Sequence, residues 1–328
     1  MDKYFRTRVE VESIKEKIDF SKSLFLLGSC FTENIGSKLE YYKFKCQINP
    51  FGILYNPISI AQSLESLLDT NYSFDLNLHK ENDIYFSYDF HGDFSSLNKD
   101  SAINNMSQSF NKAKETIKNT SFLIISFGTS WVYQLISTKK IVANCHKQGA
   151  HLFKRFRLSP KSIVNRYLEL IQRIQEINPN IKVIFTLSPI RHLKDGPHEN
   201  QLSKSTLLLA ISEICKQSDI SNYFPSYEIL LDELRDYRFY AKDMIHPSDL
   251  AVNYIWEIFK ENHISESAYA CMEEVSKLQL ALNHKPQYPE SSAYKNFLNN
   301  QLKKTLDLKK KYTFLELDKE INLLRRLI

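Results

Sequence analysis

Glycine is scarce in this chain, which has 7 glycines among 328 residues. Each glycine is therefore informative, because a residue without a side chain suits sharp turns and places where a ligand approaches the backbone. Three of them, Gly28, Gly52 and Gly128, follow apolar or turn-forming segments. These three positions are the first candidates for a functional site.

The chain lacks paired cysteines, since its five (Cys30, Cys46, Cys145, Cys215 and Cys271) form no C-x-x-C motif. This spacing signals neither a zinc ribbon nor a redox pair, and it predicts reduced thiols in a reducing compartment. The charged N-terminus has no apolar stretch typical of a secretory signal peptide, and no apolar run reaches 18 residues. We therefore expect no membrane span and a cytoplasmic location.

Strong charge of either sign is also absent, because the formal net charge is only +5. Nucleic-acid binding usually needs a concentrated basic face, so we expect no nucleic-acid partner. Metal-ligand spacings such as H-E-x-x-H are missing as well. We therefore expect no bound metal and no cofactor, although His146, His192, Asp243 and His246 supply ligand types. An apolar fraction of 43% is typical of a globular protein with a sizeable core.

Short apolar runs alternate with helical patterns along the first 260 residues. Runs at 24–27, 122–127 and 181–187 predict buried strands, and amphipathic patterns predict helices at 58–68, 98–118, 160–177, 201–216 and 249–259. This alternation predicts an α/β fold with a mostly parallel sheet and helices on both faces. From about residue 263 only helical patterns remain. We expect a domain at 1–262 and a C-terminal helical extension at 263–328.

The segment from Leu24 to Asn34 carries a candidate nucleophile. Its apolar run is broken by Gly28, and Ser29 and Cys30 stand where the strand changes into a helix. The first amides and the dipole of a helix can lower the pKa of a thiol there. A buried structural cysteine and a helix-capping serine are the alternative interpretation.

A second chemical element is the tetrapeptide Asp243-Met244-Ile245-His246, followed by Pro247. A carboxylate three residues before a histidine can fix the tautomer of the imidazole and support it as a base. The pattern suits a triad with Cys30 or Ser29 as nucleophile, His246 as base and Asp243 as the orienting group. The alternative is a simple turn that leads into a helix.

Further polar residues are expected at the same sheet edge, because sites form beyond the carboxyl ends of parallel strands. The backbone N–H of Gly52 and the side chains of Ser130 and Asn144 are candidate oxyanion donors. Candidate substrate-binding residues are His146, Arg191 and His192. Ordinary structural or surface histidines remain the alternative for the two imidazoles.

Several of these segments resemble the GSCFA domain family. They are Gly28-Ser29-Cys30-Phe31, Asn49-Pro50-Phe51-Gly52-Ile53-Leu54-Tyr55-Asn56-Pro57, Ala143-Asn144-Cys145-His146-Lys147, Ser188-Pro189-Ile190-Arg191-His192 and Asp243-Met244-Ile245-His246-Pro247-Ser248. The resemblance spans roughly residues 20 to 260, and Thr32 stands where the family motif has alanine. That family in turn is similar to the SGNH (GDSL-like) hydrolases. The resemblance implies a three-layer α/β/α flavodoxin-like fold and cleavage of acyl esters.

Carried over from the hydrolases, the resemblance places Cys30 at the nucleophile position and Ser29 at the position of the preceding aspartate. Gly52 takes the place of the oxyanion glycine, and Asp243 and His246 match the closing Asp-x-x-His block. Ser130 replaces the usual oxyanion asparagine. This departure matters, because one oxyanion donor is worth about 3 to 4 kcal/mol of barrier, and Asn144 is a candidate substitute.

Two functional expectations follow. The first is a hydrolase or acyltransferase that uses a Cys30–His246–Asp243 triad on a small-molecule or glycan acyl ester, with acetyl esters suggested by the hydrolase relatives. The second is a catalytically inactive relative that binds a carbohydrate or acyl ligand in the same pocket. An accessible, fast-reacting thiol at Cys30 would distinguish the two.

Overall fold

A five-stranded parallel sheet forms the centre of the protein in the computed structural model, which describes residues 6–69, 71–72 and 78–328. Its strands are β1 (Ser23–Gly28), β2 (Lys45–Ile48), β5 (Phe122–Phe127), β9 (Lys182–Leu187) and β10 (Ser221–Phe224), in the spatial order β10-β9-β5-β1-β2. Counted along the chain, this order is 2-1-3-4-5, the flavodoxin-like arrangement. The predicted three-layer α/β/α fold class is confirmed.

The three inner strands β1, β5 and β9 are buried on both faces, which explains why their sequences are mostly apolar. Leu24 and Leu26 of β1 point into one hydrophobic core, and Phe25 and Leu27 point into the other. The alternation follows from the two-residue period of a strand. A strand covered on both faces therefore has few polar positions, whereas the edge strands β2 and β10 are more polar.

Helices cover the two faces. They are α1 (Cys30–Tyr41), α2 (Pro57–Leu68), α3 (Lys99–Lys118), α4 (Pro160–Ile177), α5 (Gly196–Gln217), the short α6 (Ser226–Glu228), α7 (Asp249–His263), α8 (Tyr269–Leu282), α9 (Ser292–Lys311) and α10 (Asp318–Leu327). The core on one face includes residues from α2, α3, α4 and α5, and the other core includes residues from α1, α7, α8, α9 and α10. No helix in the described part of the chain is both long and apolar enough to cross a membrane.

Local sequence signals fix several helix starts. Asn56, Ser159 and Ser248 each accept a hydrogen bond from the backbone N–H three residues later, and proline follows directly at 57 and 160. A side-chain oxygen at this position satisfies an amide that has no partner within the helix, and proline suits the first helical turn. These caps fix where the loops that precede α2, α4 and α7 end.

Two antiparallel units are inserted into this α/β frame. Strands β3 (Leu78–Glu81) and β4 (Ile84–Ser87) form a hairpin. Strands β6 (Trp131–Leu135), β7 (Ile141–Val142) and β8 (Phe153–Arg157) form a small sheet in the order β7-β6-β8. Because β6 begins four residues after β5 ends, this small sheet stands beside the carboxyl edge of the central sheet.

The C-terminal helices pack against the same core as β1 and α1. Leu308, Leu317 and Ile321 are buried in the hydrophobic cluster that contains Leu24 and Phe31. The segment Lys43–Phe44 adds polar and aromatic contacts, since Lys43 pairs with Glu320 and Phe44 stacks on Phe20, which also stacks on Phe314. The apolar side chains of the C-terminal helices are covered in this way.

Candidate functional site

A cleft of about 680 Å³ opens at the carboxyl ends of β1, β5 and β9. Strand order reverses between β1 and β5, because β2 lies on the far side of β1, and ligands of such folds bind at this point. Its lining includes Ser29, Cys30, Tyr55, Thr129, Trp131, Tyr133, Asn144, Cys145, Lys147, Arg155, Ser188, Arg191, His192, Lys194, Asp195 and His246.

The turn between β1 and α1 depends on Gly28. Its φ is +146°, and a Cβ atom at this position would lie 2.2 Å from the carbonyl oxygen of Ser126 on β5. The N–H of Gly28 donates to Asn49 Oδ1 at 3.0 Å, and the N–H of Ser29 donates to Ser126 O at 3.1 Å. Only glycine fits so close to the neighbouring strand, and the tight turn places Cys30 at the mouth of the cleft.

Cys30 is the first residue of α1, and its thiol is partly buried. The Sγ atom lies 3.7 Å from the hydroxyl of Tyr55. Burial raises the pKa of the Cys30 thiol above its ordinary value, Glu33 adds to this rise, and the Tyr55 hydrogen bond opposes it. The backbone N–H of Cys30 at the helix start does lower the pKa of the thiol, but loss of solvent around the thiolate outweighs this effect, so the net pKa is raised.

Ser29, the rival nucleophile, is only 1% exposed. Its hydroxyl lies 2.9 Å from the hydroxyl of Ser126 and faces β5. Both residues line the cleft, but Ser29 is buried whereas Cys30 is only half-buried.

Asp243 and His246 form a hydrogen-bonded pair on the turn before α7. Asp243 Oδ2 lies 2.6 Å from His246 Nδ1, while Oδ1 accepts the N–H groups of Ile245 at 2.9 Å and His246 at 3.0 Å. These hydrogen bonds, the backbone ones first, lower the pKa of Asp243 to about 2. An ionised Asp243 accepts the Nδ1 proton, which leaves His246 Nε2 with a free lone pair in the neutral ring.

Two expected oxyanion donors are corrected by the structure. The N–H of Gly52 donates to Asn49 O at 2.7 Å inside its own turn, so it is not free for a ligand. Ser130 is fully buried, and both its N–H and its hydroxyl lie within 3.0 Å of Ser203 Oγ. Its neighbour Thr129 lines the cleft in its place.

The segment Asn144–His146 divides into a cleft residue and a structural one. Asn144 lines the cleft, and its Oδ1 accepts the N–H of His146 at 2.8 Å, so the Nδ2 group is the remaining donor. The ring of His146 is turned away from the lining residues, with Nε2 2.8 Å from Ser87 O and a ring contact of 4.4 Å to Phe86. The predicted substrate-binding role of His146 is corrected to a structural one.

His192 and Arg191 both line the cleft, as expected for substrate-binding residues. His192 packs edge to face against Tyr55, with ring centroids 5.6 Å apart. Burial, reinforced by Lys204 and His246, lowers the pKa of His192 to about 4, so the ring is neutral near pH 7. His192 therefore packs against the ring of Tyr55 as an uncharged side chain.

Sequence reasoning missed two residues of this site. Tyr55 lies inside the segment Asn49–Pro57 that resembles the GSCFA family, but only the fold brings its hydroxyl close to Cys30. Lys204 is fully buried on α5, and its Nζ donates to Gly128 O and Ser188 O, both at 2.7 Å. A signal for Lys204 exists in the sequence, since it occupies the apolar stripe that continues with Leu207, Ile211 and Ile214.

The outer wall of the cleft comes from the small antiparallel sheet. The guanidinium of Arg155 stands 4.2 Å from the centroid of the Trp131 ring and forms an ion pair with Asp195. Lys194 Nζ donates to the hydroxyl of Tyr133 at 2.8 Å. Among the described residues, no three His, Cys, Asp or Glu side chains are grouped closely enough to hold a metal ion.

Comparison with known proteins gives two family matches. The family model described as GSCFA family matches residues 23–259, and the one described as GSCFA domain protein, C-terminal domain, matches residues 275–328. No curated protein sequence matches the chain.

Two similar solved structures are esterases. An acetyl xylan esterase, Est2A, from the rumen bacterium Butyrivibrio proteoclasticus has 9% identity and a TM-score of 0.36, over 75% of this chain and 66% of that one. A carbohydrate esterase family 3 protein from Talaromyces cellulolyticus has 9% identity and a TM-score of 0.36, over 77% of this chain and 99% of that one.

Proposed function

The chain belongs to the GSCFA family. We propose that it hydrolyses or transfers acyl groups, most of all acetyl groups, and that Cys30, His246 and Asp243 carry out the reaction. The observation that carries the proposal is that Cys30 and His246 line one cleft at the strand switch point. The carboxylate of Asp243 holds the imidazole with Nε2 free, as a general base requires.

In the proposed reaction His246 Nε2 takes the proton of the Cys30 thiol, and the sulfur attacks the carbonyl carbon of the ester. The tetrahedral intermediate collapses to a thioester on Cys30, and the leaving alcohol takes the proton from His246. Water, or an acceptor alcohol or amine, then attacks the thioester with His246 again as base. The acid, or the ester or amide of the acceptor, leaves, and the Cys30 sulfur takes the proton back from His246.

The negative oxygen of the tetrahedral intermediate needs hydrogen-bond donors. The N–H of Cys30, at the start of α1, is one candidate, because the first amides of a helix have no partner within it. Asn144 Nδ2 is the second, in place of the buried Ser130. The raised pKa of Cys30 requires that proton transfer to His246 accompany the attack, since little free thiolate exists near pH 7.

Turnover of 4-nitrophenyl acetate by variants tests the proposal, with intact mass recorded during the reaction. Cys30→Ala and His246→Ala should each lose at least about 100-fold in kcat/KM, and an acetyl adduct should map to Cys30. Cys145→Ala is the matched control, because Cys145 is a partly buried cysteine of the same cleft, and its kcat/KM should stay within about twofold. If only Ser29→Ala lost kcat/KM, Ser29 and not Cys30 would be the nucleophile.

A ligand-binding protein without activity is the second candidate. It is favoured by the burial of Ser130 and the raised pKa of Cys30, both of which weaken acyl transfer. This function would be supported if the folded protein showed no turnover and no acetyl adduct, and if its Cys30 did not react with iodoacetamide.

A further inference from the structure

Arg191 is half-buried, and among the residues that the structure describes its guanidinium has no carboxylate partner. Its Nε atom is buried and has no hydrogen-bond acceptor in the described part of the chain, and Cζ lies 5.9 Å from the centroid of the Tyr240 ring. A buried donor that no protein group satisfies needs an explanation, and a missing ligand is one.

Arg155 and Arg166 also have a buried Nε atom without an acceptor, so Arg191 differs from the other partly buried arginines of the described chain only in having no carboxylate at its terminal nitrogens. Arg6, Arg155, Arg157 and Arg166 each form an ion pair with a carboxylate through a terminal nitrogen. No such ion pair is found for Arg191 among the described residues. Its charge is therefore uncompensated at the place where the cleft meets the turn that carries His246.

The side chains that line the cleft carry more positive than negative charge. Its lining contains the cations Lys147, Arg155, Arg191 and Lys194, and one carboxylate, Asp195, which is already paired with Arg155. Nearby Asp243 is engaged by His246 and by two backbone N–H groups. A cleft with an excess of positive charge attracts and orients negatively charged ligands.

We propose that Arg191 binds an oxyanion group, a carboxylate or a phosphate, carried by the acyl donor or the acceptor used in this cleft. The planar guanidinium matches both groups with two parallel hydrogen bonds. This inference deepens the proposed function and rests on it only in taking the cleft as the substrate site. The substrate class is then an anionic acyl ester, or a neutral ester whose acyl group passes to an anionic acceptor.

Direct binding is measured by NMR on the arginine Nε–H resonances, with the Arg191 signal assigned by its loss in Arg191→Met. Titration with sodium acetate or sodium phosphate should shift this signal saturably, while sodium chloride at equal ionic strength should not. A shift with acetate alone identifies a carboxylate site, and a shift with phosphate alone identifies a phosphate site. An Arg191 signal that stays unmoved by both anions overturns the proposal.

Alkylation of Cys30 by iodoacetate and iodoacetamide is the second measurement, because the two reagents have nearly the same size and differ in charge. In both reactions the sulfur displaces iodide from the CH₂ group. The rate ratio of iodoacetate to iodoacetamide should fall at least about tenfold in Arg191→Met, and added salt should reduce it in the wild type. Lys216→Met, an exposed site at the far end of α5, is the control and should leave the ratio unchanged.

The two proposals fail in different ways. If 4-nitrophenyl acetate is not hydrolysed but the Arg191 resonance responds to anions, the acyl-transfer function is wrong and the anion site stands. If the ester is hydrolysed but the Arg191 resonance does not respond to anions and the alkylation ratio is unchanged in Arg191→Met, the anion site is wrong and the triad stands.

Discussion

The hydroxyl of Tyr55 lies 3.7 Å from Cys30 Sγ and joins two segments that are 25 positions apart in the chain. The hydrogen bond favours the thiolate, while burial disfavours it more strongly. Tyr55 therefore keeps the pKa of Cys30 lower than its burial alone would set it.

Tyr55→Phe should raise the pKa of Cys30 further, because the substitution removes the hydroxyl and leaves the burial in place. The pH profile of Cys30 alkylation by iodoacetamide, followed by peptide mass, should move to higher pH. Cys145 lines the same cleft and has a pKa raised by burial to about 11, so its profile should not move. An unchanged Cys30 profile would show that the Tyr55 contact has no influence on the thiol.

Asp243 should titrate well below an ordinary aspartate. Its pKa is lowered from 3.8 to about 2, so the folded turn holds fewer protons than the unfolded chain between these values. The stabilisation of the turn is fully present above about pH 4 and is lost as the pH falls through about 2. Carboxyl ¹³C NMR of the folded protein should give a midpoint near pH 2.

His246→Ala serves as the control for this titration. It removes the side-chain hydrogen bond and keeps the two backbone N–H donors, which contribute most to the shift. The midpoint should rise in this variant and still remain below 3.8. A wild-type midpoint near 3.8 would contradict the hydrogen bonding described for the turn.

Lys204→Met should destabilise the protein by about 2 to 4 kcal/mol, because the carbonyl oxygens of Gly128 and Ser188 lose their buried donor. Chemical denaturation measures the free energy of unfolding. Lys216→Met on the same helix, at an exposed position, should change it by less than about 0.5 kcal/mol. A loss at Lys204 no larger than at Lys216 would contradict this bridging role.

The stability difference between wild type and Lys204→Met should also depend on pH. Burial lowers the pKa of Lys204 to about 7, below its ordinary 10.5, so between these values the unfolded chain binds more protons than the native protein. The free energy of unfolding of the wild type should therefore rise with pH across this range, by at most about 1.4 kcal/mol per pH unit from this group. Lys204→Met should lack that rise.

Gly28→Ala should cost more than about 3 kcal/mol of stability, since it combines an unfavourable φ with a clash against backbone. The added methyl group would lie 2.2 Å from Ser126 O, and neither strand can move without breaking the parallel pairing of β1 and β5. Gly92→Ala is the matched control, because its nearest neighbour would be Asn144 Nδ2 at 3.9 Å. Thermal unfolding should separate the two variants, and equal melting temperatures would refute the close approach.

Much of the fold was predictable from local sequence alone. The apolar runs at 24–27 and 122–127 lie in strands of the central sheet, the run at 181–187 begins one residue before β9, and the pattern at 160–177 gives the bounds of α4. These elements are set by hydrophobic period and by helix caps, which act over a few residues. The start of α5 at Gly196, five residues before the predicted one, was hidden because its first turns are polar.

The sequence by itself determined the residue types that can do chemistry and the sheet edge at which they lie, because a strand end, a glycine and an Asp-x-x-His turn are local features. The tertiary structure decided which of them face the cleft. Burial turned Ser130 and His146 away from it, and long-range packing brought Tyr55 to Cys30 and Lys204 under the strand ends. Burial and long-range contacts depend on the whole chain, so no local pattern fixes them.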